Sequence, residues 1–216
     1  AAKAKRTNPD LDITLYEKRD YVSVGACGLP YFVGEHFEDP NQMIARTPEK
    51  FAQQGIDIAL EHEVLSVDFD AQTIVVRDLK TNQDRTESYD QLMLATGATA
   101  VMPPIKNVDL KNVYHLRTMA DGQALRELGQ DPKVQSVTVI GAGFIGLEIA
   151  EEFHQLGKQV RVIQLEDRIL PLAFDPELTD MFADDLCDNG IELHLSEAVQ
   201  ALEGTDQVTG IVTDKG

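Results

Sequence analysis

Val137-Thr138-Val139-Ile140-Gly141-Ala142-Gly143-Phe144-Ile145-Gly146 decides the fold: an apolar, β-branched run stops at a Gly-x-Gly-x-x-Gly turn, and a helical pattern begins inside that turn. Such a run predicts a strand buried on both faces, as in a parallel sheet. The helical pattern continues from Phe144 to Leu156 and stops at Gly157, and Val160 to Ile163 reads as the next strand. Together these make a βαβ unit over 136–164. Glycines alone would be a weak signal; between a strand and a helix they specify a site for a dinucleotide pyrophosphate. Gly141 permits the tight turn, Gly143 lets backbone N–H groups reach the phosphates, and Gly146 lets helix and strand pack closely. The helix N-terminus adds partial positive charge.

Outward from this unit, β and α patterns alternate. Pro176 to Asp188 reads as a helix closed by Asn189-Gly190, and 191–195 as a further strand. On the other side a helix runs from about Met119 to Leu128, 105–117 reads as a connector, and Pro103-Pro104 breaks the chain. Before the break, Leu92 to Ala95 reads as a short strand ending at Thr96-Gly97, and 57–68 and 73–79 alternate like strands of a small antiparallel sheet. Thr47-Pro48-Glu49 has the composition of a helix start. Ile13 to Tyr16 is β-rich and leads into Glu17, while the opening stretch reads as the last turns of a helix ending at Asn8-Pro9. The expected class is α/β with two dinucleotide-binding, Rossmann-like βαβ units. The first is truncated at its N-terminus, and a small antiparallel sheet is inserted. The expected boundaries are 1–104 and 105–216.

Glu17 stands at a strand end, where such folds place a ribose-binding acid, but its glycine turn would lie ~20 residues earlier, before residue 1. In the second unit the equivalent position is Gln164. An amide can still bond a ribose diol, and no Arg follows immediately to meet a 2′-phosphate, so NADH is favoured over NADPH.

Composition closes off other classes. Nineteen basic against 37 acidic side chains give a net charge of −18, which argues against nucleic acid or an anionic membrane as partner. No apolar run approaches the ~20 residues of a membrane helix, and no signal-peptide pattern opens the chain, so a cytoplasmic location is expected. The five histidines show no metal-ligand spacing, so no metal site is expected. Cys27 and Cys187 form no close pair. Cys27 lies among small residues (Gly25, Ala26, Gly28) and is approachable. Cys187 sits in an acidic helix end and is expected to be a packing residue.

The two nucleotide-binding patterns, the Ala95-Thr96-Gly97 strand end and Ser23-(x)₃-Cys27-Gly28-Leu29-Pro30-Tyr31 resemble the pyridine nucleotide–disulfide oxidoreductases. The resemblance lies with the single-cysteine branch, most closely coenzyme A-disulfide reductases and NADH oxidases. Thr47-Pro48-Glu49-Lys50-Phe51, His62-Glu63-Val64 and the segments around Lys80 and Tyr89 are similar too. The resemblance covers essentially the whole chain but accounts for only about half of a full family member. It implies FAD on the first fold, held by Glu17, Lys18, Thr96 and Gly97. It implies NAD(P)H on the second, held by Gly141, Gly143, Phe144, Ile145, Gly146, Glu148 and Gln164. Phe144 would cover the flavin where nicotinamide docks, with Glu148 nearby. Cys27 would be the redox thiol, with Ser23 able to bond it if the intervening segment is helical. The implied reaction takes electrons from NAD(P)H through flavin to Cys27, reducing a small disulfide such as coenzyme A disulfide. The basic cluster Lys3, Lys5, Arg6, Lys18 and Arg19 could meet coenzyme A phosphates. A homodimer with a C-terminal interface domain is implied as well. Two alternatives stay open: an NADH oxidase or peroxidase working through a Cys27 sulfenic acid, and a non-catalytic nucleotide-binding fragment.

Overall fold

The computed structural model describes residues Ala1–Gly216. The chain opens with α1 (Ala2–Thr7), β1 (Ile13–Glu17), a 3₁₀ turn at Ala26–Gly28 and α2 (Leu29–Val33). After a second 3₁₀ turn at Pro40–Met43 come α3 (Pro48–Ala52), β2 (Ile56–Leu60), β3 (His62–Asp68), β4 (Thr73–Asp78) and β5 (Gln83–Ser88). Then follow α4 (Met119–Gln130), β6 (Ser136–Ile140), α5 (Phe144–Gln155) and β7 (Gln159–Ile163). The chain ends with α6 (Pro176–Asp188), β8 (Glu192–His194), β9 (Val199–Glu203) and β10 (Gly210–Thr213).

The chain forms two compact units, one of Ala1–Gly25 with Asn41–Ala98 and the other of Ala26–Pro40 with Thr99–Gly216. In the first, β1 and β2 pair in parallel, with Glu17 opposite Leu60. Val22, Phe51 and Ile56 form its buried core, covered by Ile13, Leu15 and Ile58. β3, β4 and β5 form an antiparallel sheet. The alternating stretch 57–68 is therefore not one antiparallel strand: Glu61 takes φ 56, and this left-handed residue turns the chain between a parallel and an antiparallel sheet. β5 is exposed along nearly all its length, so it carries no apolar alternation. Leu92–Ala95 is not a strand: a strand needs a partner ladder, and no segment here pairs with it.

In the second unit β6, β7 and β8 form a parallel sheet, with Val137 opposite Val160 and Ile140 opposite Ile163. Its core gathers Val33, Leu125, Ile149, Phe153, Val160, Val162, Ile169 and Ile191. Phe153 is almost wholly enclosed, and burying a side chain of that size contributes roughly 2–3 kcal/mol. Thr118 and Asp121 close a capping box at the start of α4, satisfying backbone donors that the first turn leaves free. The connector at 105–117 is not free-running. Lys106 and Lys111 bridge to Ala201 and Gln207, stitching the connector to the antiparallel pair β9–β10. Cys187 is exposed rather than packed: α6 turns Thr179, Phe182 and Leu186 inward, and the residue after Leu186 lies a further ~100° round the helix. No helix is long and apolar enough to cross a membrane.

Candidate functional site

The glycine turn is built as its residues require. Gly141 has φ 102, a conformation that L side chains rarely adopt, and its N–H donates to the Ile163 carbonyl at 2.8 Å, joining the turn to β7. A Cβ on Gly146 would stand 2.1 Å from the Gly141 carbonyl oxygen, so a glycine here lets the first turn of α5 lie against the strand end. Gly143 differs from both. It is the N-cap of α5 with φ −82 and ψ 179, a backbone open to any residue, and a Cβ there would meet nothing within 4 Å. Its vacancy faces outward, where a pyrophosphate would approach the α5 N–H groups.

Gln164, at the end of β7, turns its amide onto the same turn. Its Oε1 accepts from the Ala142 N–H at 3.0 Å, and its Nε2 donates to the Arg168 carbonyl at 3.5 Å. The side chain is thus held beside the glycine turn. Leu165 and Glu166 follow it on the surface, with Leu165 68% exposed. Arg168 donates to the Pro171 carbonyl at 3.1 Å, while its Nε is buried without a partner.

Phe144 is 55% exposed at the start of α5 and meets Phe174 edge-on, at 6.0 Å between ring centroids. Ile145 beside it is equally open. Glu148 is half-buried one turn further along. Phe144, Glu148, Leu147 and Phe182 line a cavity of about 230 Å³.

Cys27 is a free, exposed thiol in the 3₁₀ turn Ala26–Gly28, which runs directly into α2. The stretch before it is not helical: Ser23 has φ 60, and Val24 bridges Ile44. The helical geometry that would aim Ser23 at the thiol is therefore absent. The Cys27 segment is bound to the nucleotide unit by groups that sequence reading missed. Arg126 of α4 donates to the Phe32 and Phe37 carbonyls at 2.5 and 2.9 Å and stacks over the Phe32 ring. Gln130 donates to Glu35. From α5, Glu152 binds His36 at 2.9 Å. A buried acid was legible only as one more polar residue in an amphipathic helix, although it stands four residues after Glu148.

In the first unit, Glu17 closes β1. Its Oε1 accepts from the Arg19 N–H at 3.0 Å, and Lys18 pairs with Glu63 at 3.7 Å. The preceding Tyr16 donates to Glu87 of β5, tying β1 to the antiparallel sheet. Burial first, then that bond, holds the Tyr16 phenol above its ordinary pKa. The bond from Tyr16 and a second from Arg85 hold Glu87 below the usual carboxylate range. Thr96 and Gly97 lie on an exposed stretch, with Gly97 at φ 71 and open space where a Cβ would be. Of the basic cluster, Lys5 is engaged by the Leu11 carbonyl and Arg19 by Glu17. No group of metal-ligating side chains is present.

The sequence profile of the family described as "Pyridine nucleotide-disulphide oxidoreductase" matches residues 1–216. A Pyrococcus abyssi "NAD(P)H sulfur oxidoreductase (CoA-dependent)" is 37% identical over all of this chain and 47% of its own length. The water-forming NADH oxidase of Lactobacillus brevis bound to NADH superposes with a TM-score of 0.91 at 33% identity, covering 98% of this chain and 47% of that one. Its engineered relative, a water-forming NADPH oxidase bound to NADPH, gives 0.90 at 34% identity, covering 98% and 46%. That variant replaces a Gly by Ala, an Asp by Ala, an Ala by Arg, a Met by Ser and a Pro by Arg, at positions spaced as Gly146, Gln164, Leu165, Glu166 and Pro171 are here. The chain spans about half the length of the curated relatives it matches.

Proposed function

Because the chain belongs to the pyridine nucleotide-disulphide oxidoreductase family, we propose that it serves FAD-dependent transfer of electrons from NADH to Cys27, and from Cys27 to coenzyme A disulfide or a similar low-molecular-weight disulfide. The observation that carries this reading is the exposed, unpaired Cys27 thiol, held on a segment packed with the nucleotide-binding unit. Residues 1–104 would supply part of the FAD-binding domain and 105–216 the NAD(P)H-binding domain. Gly141, Gly143, Ile145 and Gly146 would hold the pyrophosphate of NADH, Gln164 its ribose, and Phe144 and Glu148 its nicotinamide end. Glu17, Lys18, Thr96 and Gly97 would hold FAD. When bound, nicotinamide and flavin supply the hydride chemistry.

The protein's own step is thiol–disulfide exchange. The Cys27 thiolate attacks one sulfur of the external disulfide, the S–S bond breaks, and one thiolate leaves. Two electrons originating on NADH and one proton then cleave the Cys27 mixed disulfide, releasing the second thiol and restoring the thiolate.

The NADH oxidase relative supports a second reading, in which Cys27 cycles through a sulfenic acid with oxygen or peroxide as acceptor. NADH consumption measured in parallel with coenzyme A disulfide, hydrogen peroxide and oxygen separates the two. Turnover confined to oxygen or peroxide would replace the disulfide reading.

NADH preference rests on the ribose end of the site. Here no arginine stands at 165 or 171, where the NADPH-using variant has one, and Glu166 adds a negative charge. Gln164→Ala with Leu165→Arg and Pro171→Arg is expected to move the ratio of kcat/KM toward NADPH by at least about tenfold, ~1.4 kcal/mol. Steady-state kinetics with both nucleotides measures this. A wild-type enzyme already tenfold better with NADPH would end the assignment of Gln164.

A further inference from the structure

Helix α5 carries Phe144, Glu148 and Glu152 at four-residue intervals, so the three lie along one side of the helix. Phe144 is open, Glu148 is half-buried, and Glu152 is 4% exposed. The first two stand at the proposed nicotinamide end. The third faces the segment that follows Cys27 and is buried against it.

A Cβ on Gly34 would fall 1.6 Å from Glu152 Oε2 and 2.4 Å from its Cδ. Gly34 has an ordinary φ of −74, and the space its Cβ would take is filled by the end of the Glu152 side chain, which would have to shift to admit one. The carboxylate rests directly on the backbone at the end of α2. There it accepts a hydrogen bond from His36 Nε2 at 2.9 Å, and the His36 ring in turn meets Tyr31 edge-on at 5.5 Å. Two contacts from α4 hold the same segment: Arg126 donates to the Phe32 and Phe37 carbonyls and Gln130 donates to Glu35. An acid excluded from water is costly unless its partner is well placed, and Phe153 and Ile149 beside it already supply apolar packing.

We propose that Glu152 is a positioning residue for Cys27: through His36 and the Gly34 backbone it fixes the Cys27 segment on the helix whose other end receives the nicotinamide. The proposal rests on the reading of Cys27 as the redox thiol. Glu152 itself touches neither substrate nor nucleotide.

The test uses the flavin-loaded enzyme with Glu152→Ala, Glu152→Gln, Gly34→Ala and the Gly34→Ala/Glu152→Ala double variant. Flavin reduction by NADH, coenzyme A-disulfide reduction, the rate of Cys27 alkylation and Tm are measured in each. Glu152→Ala is expected to lower kcat/KM for the disulfide about tenfold and to change Cys27 alkylation by about threefold or more, with flavin reduction within about twofold of wild type. Glu152→Gln retains a hydrogen-bonding partner for His36 and is expected to recover most of the loss. Gly34→Ala forces the end of the Glu152 side chain off its place against α2, breaking its bond to His36, and should lower Tm. Adding Glu152→Ala relieves the collision and should restore Tm without restoring the disulfide half-reaction. Unchanged disulfide reduction and alkylation in Glu152→Ala would overturn the proposal while leaving Cys27 intact as the redox thiol. Equal loss of both half-reactions, or their joint recovery with Tm in the double variant, would reduce Glu152 to a structural part. A Cys27→Ser enzyme that still reduces the disulfide would overturn the underlying reading, and this proposal with it.

Discussion

Cys27→Ser in the flavin-loaded enzyme is expected to lower coenzyme A-disulfide turnover by at least about a thousandfold, ~4 kcal/mol of activation free energy, while flavin reduction by NADH stays close to wild type. The asymmetry follows from the chemistry. A serine hydroxyl has nearly the size of a thiol but cannot attack a disulfide sulfur and leave again, whereas hydride transfer from nicotinamide to flavin needs no thiol. Cys187→Ser is the control. It is exposed too, but it lies on α6 and not on the segment that carries Cys27; neither half-reaction should change. Stopped-flow flavin absorbance reads the first half-reaction, and thiol release reads the second. Mass spectrometry of the isolated protein adds an independent arm: coenzyme A on Cys27 fits disulfide reduction, and a sulfenic acid fits the oxidase reading. Wild-type disulfide turnover by Cys27→Ser would end both the assignment of Cys27 and the proposed reductase function.

Gly143→Val should separate folding from nucleotide binding. A Cβ there meets no protein atom within 4 Å, and the backbone at φ −82, ψ 179 is extended, as a β-branched residue prefers. The thermal transition should therefore move little. The same branched side chain occupies the approach to the α5 N–H groups, so NADH affinity is expected to fall by about a hundredfold, ~2.7 kcal/mol. Equilibrium titration by NADH fluorescence, beside a circular-dichroism melt, checks both halves. Affinity within threefold of wild type would mean that the pyrophosphate does not bind at this turn. Gly146 offers the contrast, since there the added atom strikes the Gly141 carbonyl before any ligand arrives.

The parts legible in sequence were those whose burial leaves a periodic mark. β6, the glycine turn, α5 and β7 were readable from two β-branched runs, the glycines between them and a helix apolar on one side, although β6 is not buried on both faces: Ser136 and Ile140 at its ends are exposed. α6 was readable from Pro176 and Asn189-Gly190, which punctuate it at both ends. β5 and the pair β9–β10 left no such mark: β5 is polar and exposed, and β9–β10 is short and lies against the connector. Leu92–Ala95 failed for the opposite reason, having strand composition without a strand to pair with. Cys187 was misplaced because its acidic neighbours were weighed and its phase on the helix was not. Glu152 was passed over because a helix acid usually faces water. Its burial shows only in the folded chain, where its carboxylate lies beside Gly34 and bonds His36, more than 110 residues away in sequence.

The chain passes from one compact unit to the other at Gly25–Ala26, at Pro40–Asn41 and at Ala98–Thr99. This governs how the gene can be cut. A fragment starting at Thr99 would carry the whole glycine turn yet leave behind Leu29, Phe32 and Val33, and so lose one wall of the core around Leu125 and Phe153. Splicing 26–40 back as a tethered peptide would return that wall. The piece of chain that carries Cys27 is thus also structural material for the unit that carries the glycine turn, and selection on either acts on the other.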